Sequence, residues 1–151
     1  MKRNLSVMRR VLLVEAEAPF RRSLEKCLSK AGYRTLACAS GSDALRLASE
    51  NPIDLAIVEY HLPDGNGAEL ARKLKSSHVV ARVVLISFYD LDFISCDVLD
   101  AVDGFLKKPF DLIDFERMLS RVWEDRVLVA VPRSKLGGAD IPASTLKEGT
   151  L

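Results

Sequence analysis

Short apolar segments alternate with amphipathic helical segments along most of this chain. Val11–Val14 is a continuous run of Val and Leu, which is typical of a strand buried on both faces of a parallel sheet. After Pro19, apolar residues recur at helical spacing from Phe20 to Ala31, and Gly32 follows as a helix stop. The same alternation predicts strands at 33–38, 53–58, 82–86 and 102–106, with helices at 42–50, around 70–74, at 91–99 and around 115–123. The sequence therefore contains five strand–helix units.

Parallel strands need crossover connections, and a helix follows every predicted strand of this chain. We therefore predict an α/β fold, a doubly wound five-stranded parallel sheet with helices on both faces. Ligands bind such sheets beyond the carboxyl ends of the strands, where the strand order reverses. The residues to inspect are those that directly follow the strands, at 15–17, 59–61, 87–88 and 107–109.

Length and composition indicate a single globular domain. The 151 residues divide into an N-terminal extension at 1–8, a folded domain at 9–125 and a flexible C-terminal tail at 126–151, in which the apolar Val127–Val131 could prolong the last helix or dock on the domain. The net charge of +1 gives no excess of basic residues that would indicate nucleic-acid binding. No apolar run is long enough for a membrane span or a signal peptide, so we expect a cytoplasmic location. Three cysteines without CxxC spacing are expected to be reduced core thiols: Cys27, Cys38 and Cys96.

Four motifs at the predicted strand ends follow one another in the order and spacing of bacterial receiver domains. Val11–Glu17 resembles the first strand of that family with its acidic pair, and Asp54–Gly67 resembles the strand and loop that carry the phosphorylated aspartate. Leu85–Ser87 resembles the strand with the switch hydroxyl, and Gly104–Phe110 resembles the segment with the switch aromatic residue and the lysine before proline. The resemblance covers residues 9–124 and is to the response regulator receiver domain family. It implies a flavodoxin-like fold and a role in two-component phosphorelay signalling.

The resemblance also implies roles for single residues. In the family an aspartate attacks phosphorus, an acidic pair holds Mg²⁺, and a lysine and a hydroxyl receive the phosphoryl oxygens. In this chain the phosphoacceptor position is Glu59 and the acidic-pocket positions are Glu15 and Ala16. The switch positions are Ser87, Phe105 and Lys108.

Three departures from the family pattern predict that the site has lost its chemistry. Ala16 has no side-chain oxygen for a metal, so we expect no cofactor and lost or weak Mg²⁺ binding. Glu59 is one methylene longer than aspartate, which moves its carboxylate out of the in-line geometry. Phe88 follows the switch serine where the family usually has a small residue, and its ring narrows phosphoryl access. We therefore predict that the chain is not an enzyme and has no catalytic or metal-ligating residue.

Several site residues admit two interpretations. The Glu59 carboxylate could imitate a phosphorylated aspartate by reaching Ser87 and Lys108, or it could only pair with Lys108 in a decayed site. Phe105 is either a rotameric switch or a core aromatic residue. Glu15 and Glu17 could attract a cation, although a solvated acidic loop is favoured, and His61 is given no role.

We expect an atypical single-domain response regulator that acts by phosphorylation-independent protein binding. The expected partner is a histidine kinase or another regulator. The chain could also form a homodimer through the 90–124 face. No direct contact with nucleic acid or membrane is expected. The acidic residues around the predicted 91–99 helix favour a solvated face, and a contact with a basic partner is the alternative hypothesis. These residues are Asp90, Asp92, Asp97, Asp100 and Asp103.

Two other functions stay open. The first is a phosphorylatable receiver with a non-standard acceptor such as Asp54 or Asp64, although Asp54 begins its strand and Asp64 lies in a turn. The second is a small α/β enzyme. It is disfavoured because the sequence has no GxxxxGKS loop, no GxGxxG turn and no DxD pair after the first strand.

Overall fold

Five parallel strands and four helices build the part of the chain that the computed structural model describes, residues 8–90, 94 and 100–124. In chain order the elements are β1 (Arg10–Val14), α1 (Ala18–Lys30), β2 (Arg34–Cys38), α2 (Gly41–Glu50), β3 (Ile53–Glu59), β4 (His61–Leu62), β5 (Gly65–Asn66), α3 (Gly67–Ser76), β6 (Val80–Ser87), β7 (Gly104–Lys107) and α4 (Leu112–Arg121). The parallel sheet has the order β2-β1-β3-β6-β7, and β4 and β5 form a separate antiparallel pair. The predicted doubly wound α/β fold is confirmed.

The strand order reverses at β1. The chain passes from β1 to its neighbour β2 on one side and then crosses back to β3 on the other side. In sheets of this kind the crevice at such a reversal, beyond the carboxyl ends of the strands, is the usual binding position. Glu59 is the last residue of β3 and Glu15 follows β1, so both lie at this crevice.

Alternate residues of the central strands pack into two apolar cores, one on each face of the sheet. Val11 and Leu13 of β1 share a core with residues of α1 and α4, whereas Leu12 and Val14 share a core with residues of α2 and α3. All four side chains are fully buried. A fully buried side chain of this size contributes roughly 1.5–3 kcal/mol. The two cores therefore hold the strand ends in fixed positions.

Most element boundaries differ from the prediction by a few residues, and three differences bear on the site. The turn that contains Asp64 is flanked by the β4–β5 pair, which was not predicted; the strand predicted at 82–86 extends over Val80–Ser87, and the strand predicted at 102–106 begins at Gly104. Asp103 lies directly before this strand: its backbone N donates to the Val83 carbonyl oxygen at 2.7 Å, whereas its side chain, and not a backbone carbonyl, accepts from Val83 N. Its Oδ2 accepts hydrogen bonds from Val83 N at 2.8 Å and Lys75 Nζ at 2.9 Å. Asp103 is buried, so it is not part of a solvated acidic face.

Several predictions concern residues outside the described ranges. They are residues 1–7 of the N-terminal extension, the predicted helix at 91–99 and the tail at 126–151. Of the helix only Ile94 is described, and it is buried, so Asp92, Cys96 and Asp97 also lie outside the described ranges. Cys27 and Cys38 are buried free thiols, as predicted. Burial raises the pKa of Cys27 and raises the pKa of Cys38 to about 11. Across the described ranges, no helix combines the length and the apolar character that a membrane crossing needs.

Candidate functional site

Three charged side chains from three different strand ends meet in the crevice. Glu15 follows β1, Glu59 ends β3 and Lys108 follows β7. Their exposed fractions are 2%, 3% and 6%, which is very low for charged residues. Ser87, at the end of β6, is also completely buried. The structure thus brings these four residues together at the carboxyl edge of the sheet.

Lys108 pairs with both carboxylates. Its Nζ lies 3.2 Å from Oε1 of Glu15 and is also in contact with Oε1 of Glu59. We name Glu15, Lys108 and Glu59 the ion triad. The remaining two oxygens accept backbone hydrogen bonds, Glu15 Oε2 from Glu17 N and Glu59 Oε2 from His61 N, both at 3.0 Å. Three of the four carboxylate oxygens thus accept a hydrogen bond, whereas Glu59 Oε1 is buried without one and is held by its ion pair with Lys108.

The ion triad holds two carboxylates against one ammonium in a buried place. Burial raises the pKa of Glu15 above its ordinary value of 4.5. The hydrogen bond from the Glu17 backbone and the charge of Lys108 act in the opposite direction, while the negative charge of Glu59 adds to the increase. Removing Lys108 would leave both carboxylates without a counter-ion, which makes the ammonium the essential member of the cluster.

Two aromatic rings flank the ammonium. Lys108 Nζ lies 4.6 Å from the ring centre of Phe20 and 5.2 Å from that of Phe88. Cations near the face of such rings are attracted by the ring quadrupole. Phe88 was expected from the sequence to narrow the access to this site, and 59% of it is exposed at the surface. Phe20 was not singled out from the sequence, because its position at the start of α1 reads as an ordinary core position.

Ser87 makes its own contacts, and none of them is to Glu59. Its Oγ accepts a hydrogen bond from Tyr89 N at 2.8 Å, and its carbonyl oxygen accepts one from Lys108 N at 2.8 Å. Phosphate imitation by Glu59 was expected to involve both Ser87 and Lys108. Of these two residues, the structure brings only Lys108 into contact with the Glu59 carboxylate.

The other predicted site residues lie around the ion triad. The side chain of Ala16 is exposed and carries no oxygen, while its carbonyl oxygen accepts a hydrogen bond from Arg21 Nη1 at 3.4 Å. Phe105 is completely buried in the core shared with α2 and α3. His61 is exposed, and its ring contacts Tyr89 edge to face with the ring centres 5.1 Å apart.

Gly67 allows the loop after β3 to close tightly on the site. A Cβ atom at this position would lie 1.9 Å from the carbonyl oxygen of Glu59, so only glycine fits. Gly67 N donates a hydrogen bond to the carbonyl oxygen of Tyr60 at 2.6 Å. The loop that begins at Glu59 is thereby held against the start of α3, which fixes the backbone from which the Glu59 side chain projects.

The two alternative acceptors have other contacts. Asp54 Oδ2 accepts a hydrogen bond from Arg10 N at 2.8 Å, where β1 and β3 begin. Asp64 accepts from the N–H groups of Gly41 and Ser42, at 2.8 and 2.9 Å, and these hydrogen bonds lower its pKa. Asp64 therefore ties the β4–β5 turn to the first turn of α2. Within the described ranges, no group of three or more His, Cys, Asp and Glu side chains is arranged to hold a metal ion.

Comparisons with known proteins agree with this architecture. The family model of the response regulator receiver domain matches residues 11–120. The chain is 33% identical over 112 residues to the sensor kinase CckA of Brucella abortus, covering 72% of this chain and 12% of CckA. It is 29% identical over 116 residues to the response regulator receiver protein CpdR of the same organism, covering 76% of this chain and 97% of CpdR. The chain spans only about half of several transcriptional regulators that it also matches.

A solved receiver structure has the same fold. The CheY-like response regulator receiver domain from Methylobacillus flagellatus aligns with a TM-score of 0.69 at 24% identity, covering 77% of this chain and 99% of that chain. The predicted flavodoxin-like receiver fold is therefore confirmed.

Proposed function

The chain belongs to the response regulator receiver domain family of two-component signalling, and from this premise we propose that it acts by binding other proteins without accepting a phosphoryl group. The observation that carries the proposal is the ion triad, in which Lys108 is already paired with Glu15 and Glu59. In a phosphorylated receiver the lysine receives a phosphoryl oxygen. Here the ammonium would first have to leave two buried carboxylates.

The position of Glu59 also opposes nucleophilic attack. A carboxylate nucleophile needs a free oxygen aligned with the bond to the leaving group. Both oxygens of Glu59 have partners, Lys108 for Oε1 and His61 N for Oε2. Attack on phosphorus would require one of these contacts to break inside a buried site, and Phe88 stands beside the ammonium where the phosphodonor would approach.

The family's Mg²⁺ ion does not fit the residues present. Mg²⁺ requires near-octahedral oxygen ligands at about 2.0–2.1 Å. The Glu15 oxygens are engaged by Lys108 and Glu17 N, and the Ala16 side chain has no oxygen. We therefore propose that Mg²⁺ binding is lost or weak, and no step of the proposed function passes through the metal.

The alternative functions have less support. Asp54 and Asp64 each cap backbone N–H groups, so neither is a free acceptor in the crevice. The receiver family consists mainly of signalling proteins that are not enzymes, and the geometry offers no nucleophile with an adjacent base among the described residues. We propose that the chain has no catalytic activity of its own.

Receiver domains interact with histidine kinases and with other regulators, and we propose a partner of this kind for the chain. CckA, to which 72% of the chain is similar, is named a sensor kinase. A homodimer through the 90–124 face stays a prediction, since residues 91–93 and 95–99 of that face lie outside the described ranges. A cytoplasmic location and the absence of direct nucleic-acid binding also stay predictions.

Intact-protein mass spectrometry after incubation with Mg²⁺ and acetyl phosphate tests the proposal. The proteins compared are the natural chain, Glu59→Asp, and the double variant Ala16→Asp/Glu59→Asp. We expect no phosphoryl group on the natural chain and a clear gain on the double variant, because that variant recovers the short nucleophile and the second metal ligand. The variant Ala16→Asp/Glu59→Asn is the matched control, because it differs from the double variant only in lacking the carboxylate nucleophile, and it should gain no phosphoryl group.

Phosphorylation of the natural chain would overturn the proposal, and peptide mapping would then identify the acceptor. Phosphorylation of Ala16→Asp/Glu59→Asn would mean that a residue other than the one at position 59 is modified. If the double variant gains nothing, adding Phe88→Ala tests whether the aromatic ring is the remaining obstacle.

A further inference from the structure

The outer edge of β2 is open in the part of the chain that the structure describes, where β2 pairs with β1 alone. Cys38 O accepts a hydrogen bond from Glu15 N at 3.0 Å, so the backbone groups of Cys38 point toward β1. Because this direction alternates along a parallel strand, the backbone groups of Thr35 and Ala37 point outward. Such an edge can accept one more strand from another molecule.

A polar groove lies beside this edge, between β2 and α1, with a volume of about 430 Å³. Arg22 and Lys26 of α1 are exposed and have no ion-pair partner among the described residues. Glu25 also lines the groove, so the lining has two cations and one carboxylate. The lining residues are Arg22, Glu25, Lys26, Ser29, Tyr33 and Thr35.

Two hydroxyl groups of the groove have no acceptor within the described ranges. The Tyr33 hydroxyl accepts a hydrogen bond from Trp123 Nε1 at 2.9 Å, so its own proton is not used in that contact. Thr35 Oγ1 is buried without a hydrogen-bond partner, although buried polar atoms normally have one. A carboxylate accepts hydrogen bonds and also pairs with cations. It is therefore the group that suits both the hydroxyls and the two basic side chains of this groove.

The spacing of the two basic side chains matches that of an added strand. Residues four apart on a helix lie on one face, about 6 Å apart along the axis. Alternate residues of a strand also lie on one face, about 6.6 Å apart. Because α1 packs along β2, two carboxylates on alternate residues of an added strand would meet Arg22 and Lys26 in turn.

The opposite face of β2 is apolar at its centre. Leu36, the middle residue of β2, is half-buried and packs with Leu47 of α2 against the core on that face. Side chains of an added strand alternate between the two faces of the sheet. A segment in which acidic and apolar residues alternate therefore matches both sides of this edge.

We propose that the outer edge of β2 binds an extended segment of a partner protein, in which acidic and apolar residues alternate, as an added strand. Backbone hydrogen bonds to Thr35 and Ala37 hold the segment, and its carboxylates pair with Arg22 and Lys26. A second copy of this chain fits poorly, because pairing two β2 edges would bring the basic residues of both α1 helices together. The edge lies outside the crevice, so the proposal goes beyond the function proposed above.

NMR titration of the full chain tests the proposal. The probe is a short blocked peptide in which glutamate alternates with valine, and the control peptide has lysine in place of glutamate. We expect the glutamate peptide to shift the amide signals of Thr35 and Ala37 and to slow their hydrogen exchange. The Ile57 amide in central β3 should not change. The lysine peptide should bind more weakly, by on the order of tenfold or more.

The variant Arg22→Glu/Lys26→Glu tests the selection by charge. Both natural side chains are exposed, so the variant should fold, and protection of the Ile57 amide reports this. We expect it to bind the glutamate peptide more weakly, by on the order of tenfold or more, and to prefer the lysine peptide. Two further glutamate peptides, N-methylated at every valine or at every glutamate, test strand addition. Only one of them should lose binding to the natural chain, because the N–H groups of one set face β2.

Equal effects of the glutamate and lysine peptides on Thr35 and Ala37 would overturn the proposal. Absence of any effect would also overturn it, and Arg22 and Lys26 would then only protect the edge from pairing. A third contrary result is a change of these signals on dilution of the chain alone, with a dimer mass in light scattering, because the occupant would then be a second copy. None of these outcomes depends on phosphorylation, so the result is independent of the function proposed above.

Discussion

Replacing Lys108 by Met should destabilise the domain by about 3–5 kcal/mol at neutral pH. The ammonium is the counter-ion of two buried carboxylates, those of Glu15 and Glu59. Methionine keeps an unbranched side chain beside Phe20 and Phe88 but carries no charge, so the change isolates the electrostatic contribution. Loss of one partner of a buried pair leaves an uncompensated charge, and here two carboxylates lose the same partner. We therefore expect the upper half of the range, a large part of the roughly 5–15 kcal/mol that stabilises a typical domain.

The neighbouring lysine provides a matched control. Lys107 pairs with Asp90 at 3.2 Å, but the side chains are 25% and 55% exposed, so Lys107→Met should cost less than about 1 kcal/mol. Urea unfolding of both variants at neutral pH measures the difference. If Lys108→Met does not fold, the variant Glu15→Gln/Glu59→Gln/Lys108→Met should, since it removes all three charges together.

Equal costs for Lys108→Met and Lys107→Met would refute the reasoning. The crevice would then be accessible to water, and the ion triad would contribute little to the stability of the domain. The proposal of a site closed by internal pairing would lose its main support, because a phosphodonor could displace contacts that cost so little to break.

Three further predictions follow from the same geometry. Glu15→Gln should flatten the pH dependence of the free energy of unfolding. The pKa of Glu15 in the folded domain is raised above 4.5, so the natural domain loses stability as the pH rises from 4.5 through that pKa. Urea unfolding across mildly acidic and neutral pH measures this loss. Gly67→Ala should destabilise the domain by at least about 3 kcal/mol in thermal unfolding, since its Cβ would lie 1.9 Å from the Glu59 carbonyl oxygen; an unchanged Tm would contradict the close approach. Asp64→Ala should lower the Tm slightly, because the N–H groups of Gly41 and Ser42 in the first turn of α2 lose their acceptor, and it should leave the mass-spectrometric result unchanged; a changed phosphorylation state would contradict a purely structural role.

The fold could be predicted from the sequence because each central strand is an apolar run between turn residues. Val11–Val14 has no polar residue, and both faces of this strand are covered by helices. The meeting of Glu15, Glu59 and Lys108 could also be predicted, because the carboxyl ends of parallel strands lie at one edge of the sheet. Strand ends fix backbone positions, and the motif spacing identifies which residues occupy them.

Side-chain pairing over long sequence distances could not be predicted. Asp103 carries no sign in the sequence that it will accept hydrogen bonds from Val83 N and Lys75 Nζ. Asp64 caps a helix that begins 23 residues earlier in the chain, at Gly41. The short β4–β5 pair was likewise missed, since turn composition identifies a turn but not the two bridges that flank it. These contacts depend on the finished packing and not on local propensity.

The departures at Ala16 and Glu59 make physical sense as a pair. In a working receiver a divalent cation balances several carboxylates, and without it their repulsion must be met in another way. Ala16 removes one potential negative charge from the crevice, and the longer side chain of Glu59 reaches Lys108. One ammonium therefore faces two carboxylates, and the formal charge of the ion triad is −1. Burial raises the pKa of Glu15, so the negative charge of this carboxylate costs more here than in water. Under the function proposed above, the ammonium of Lys108 therefore opposes the two carboxylates in place of a divalent cation.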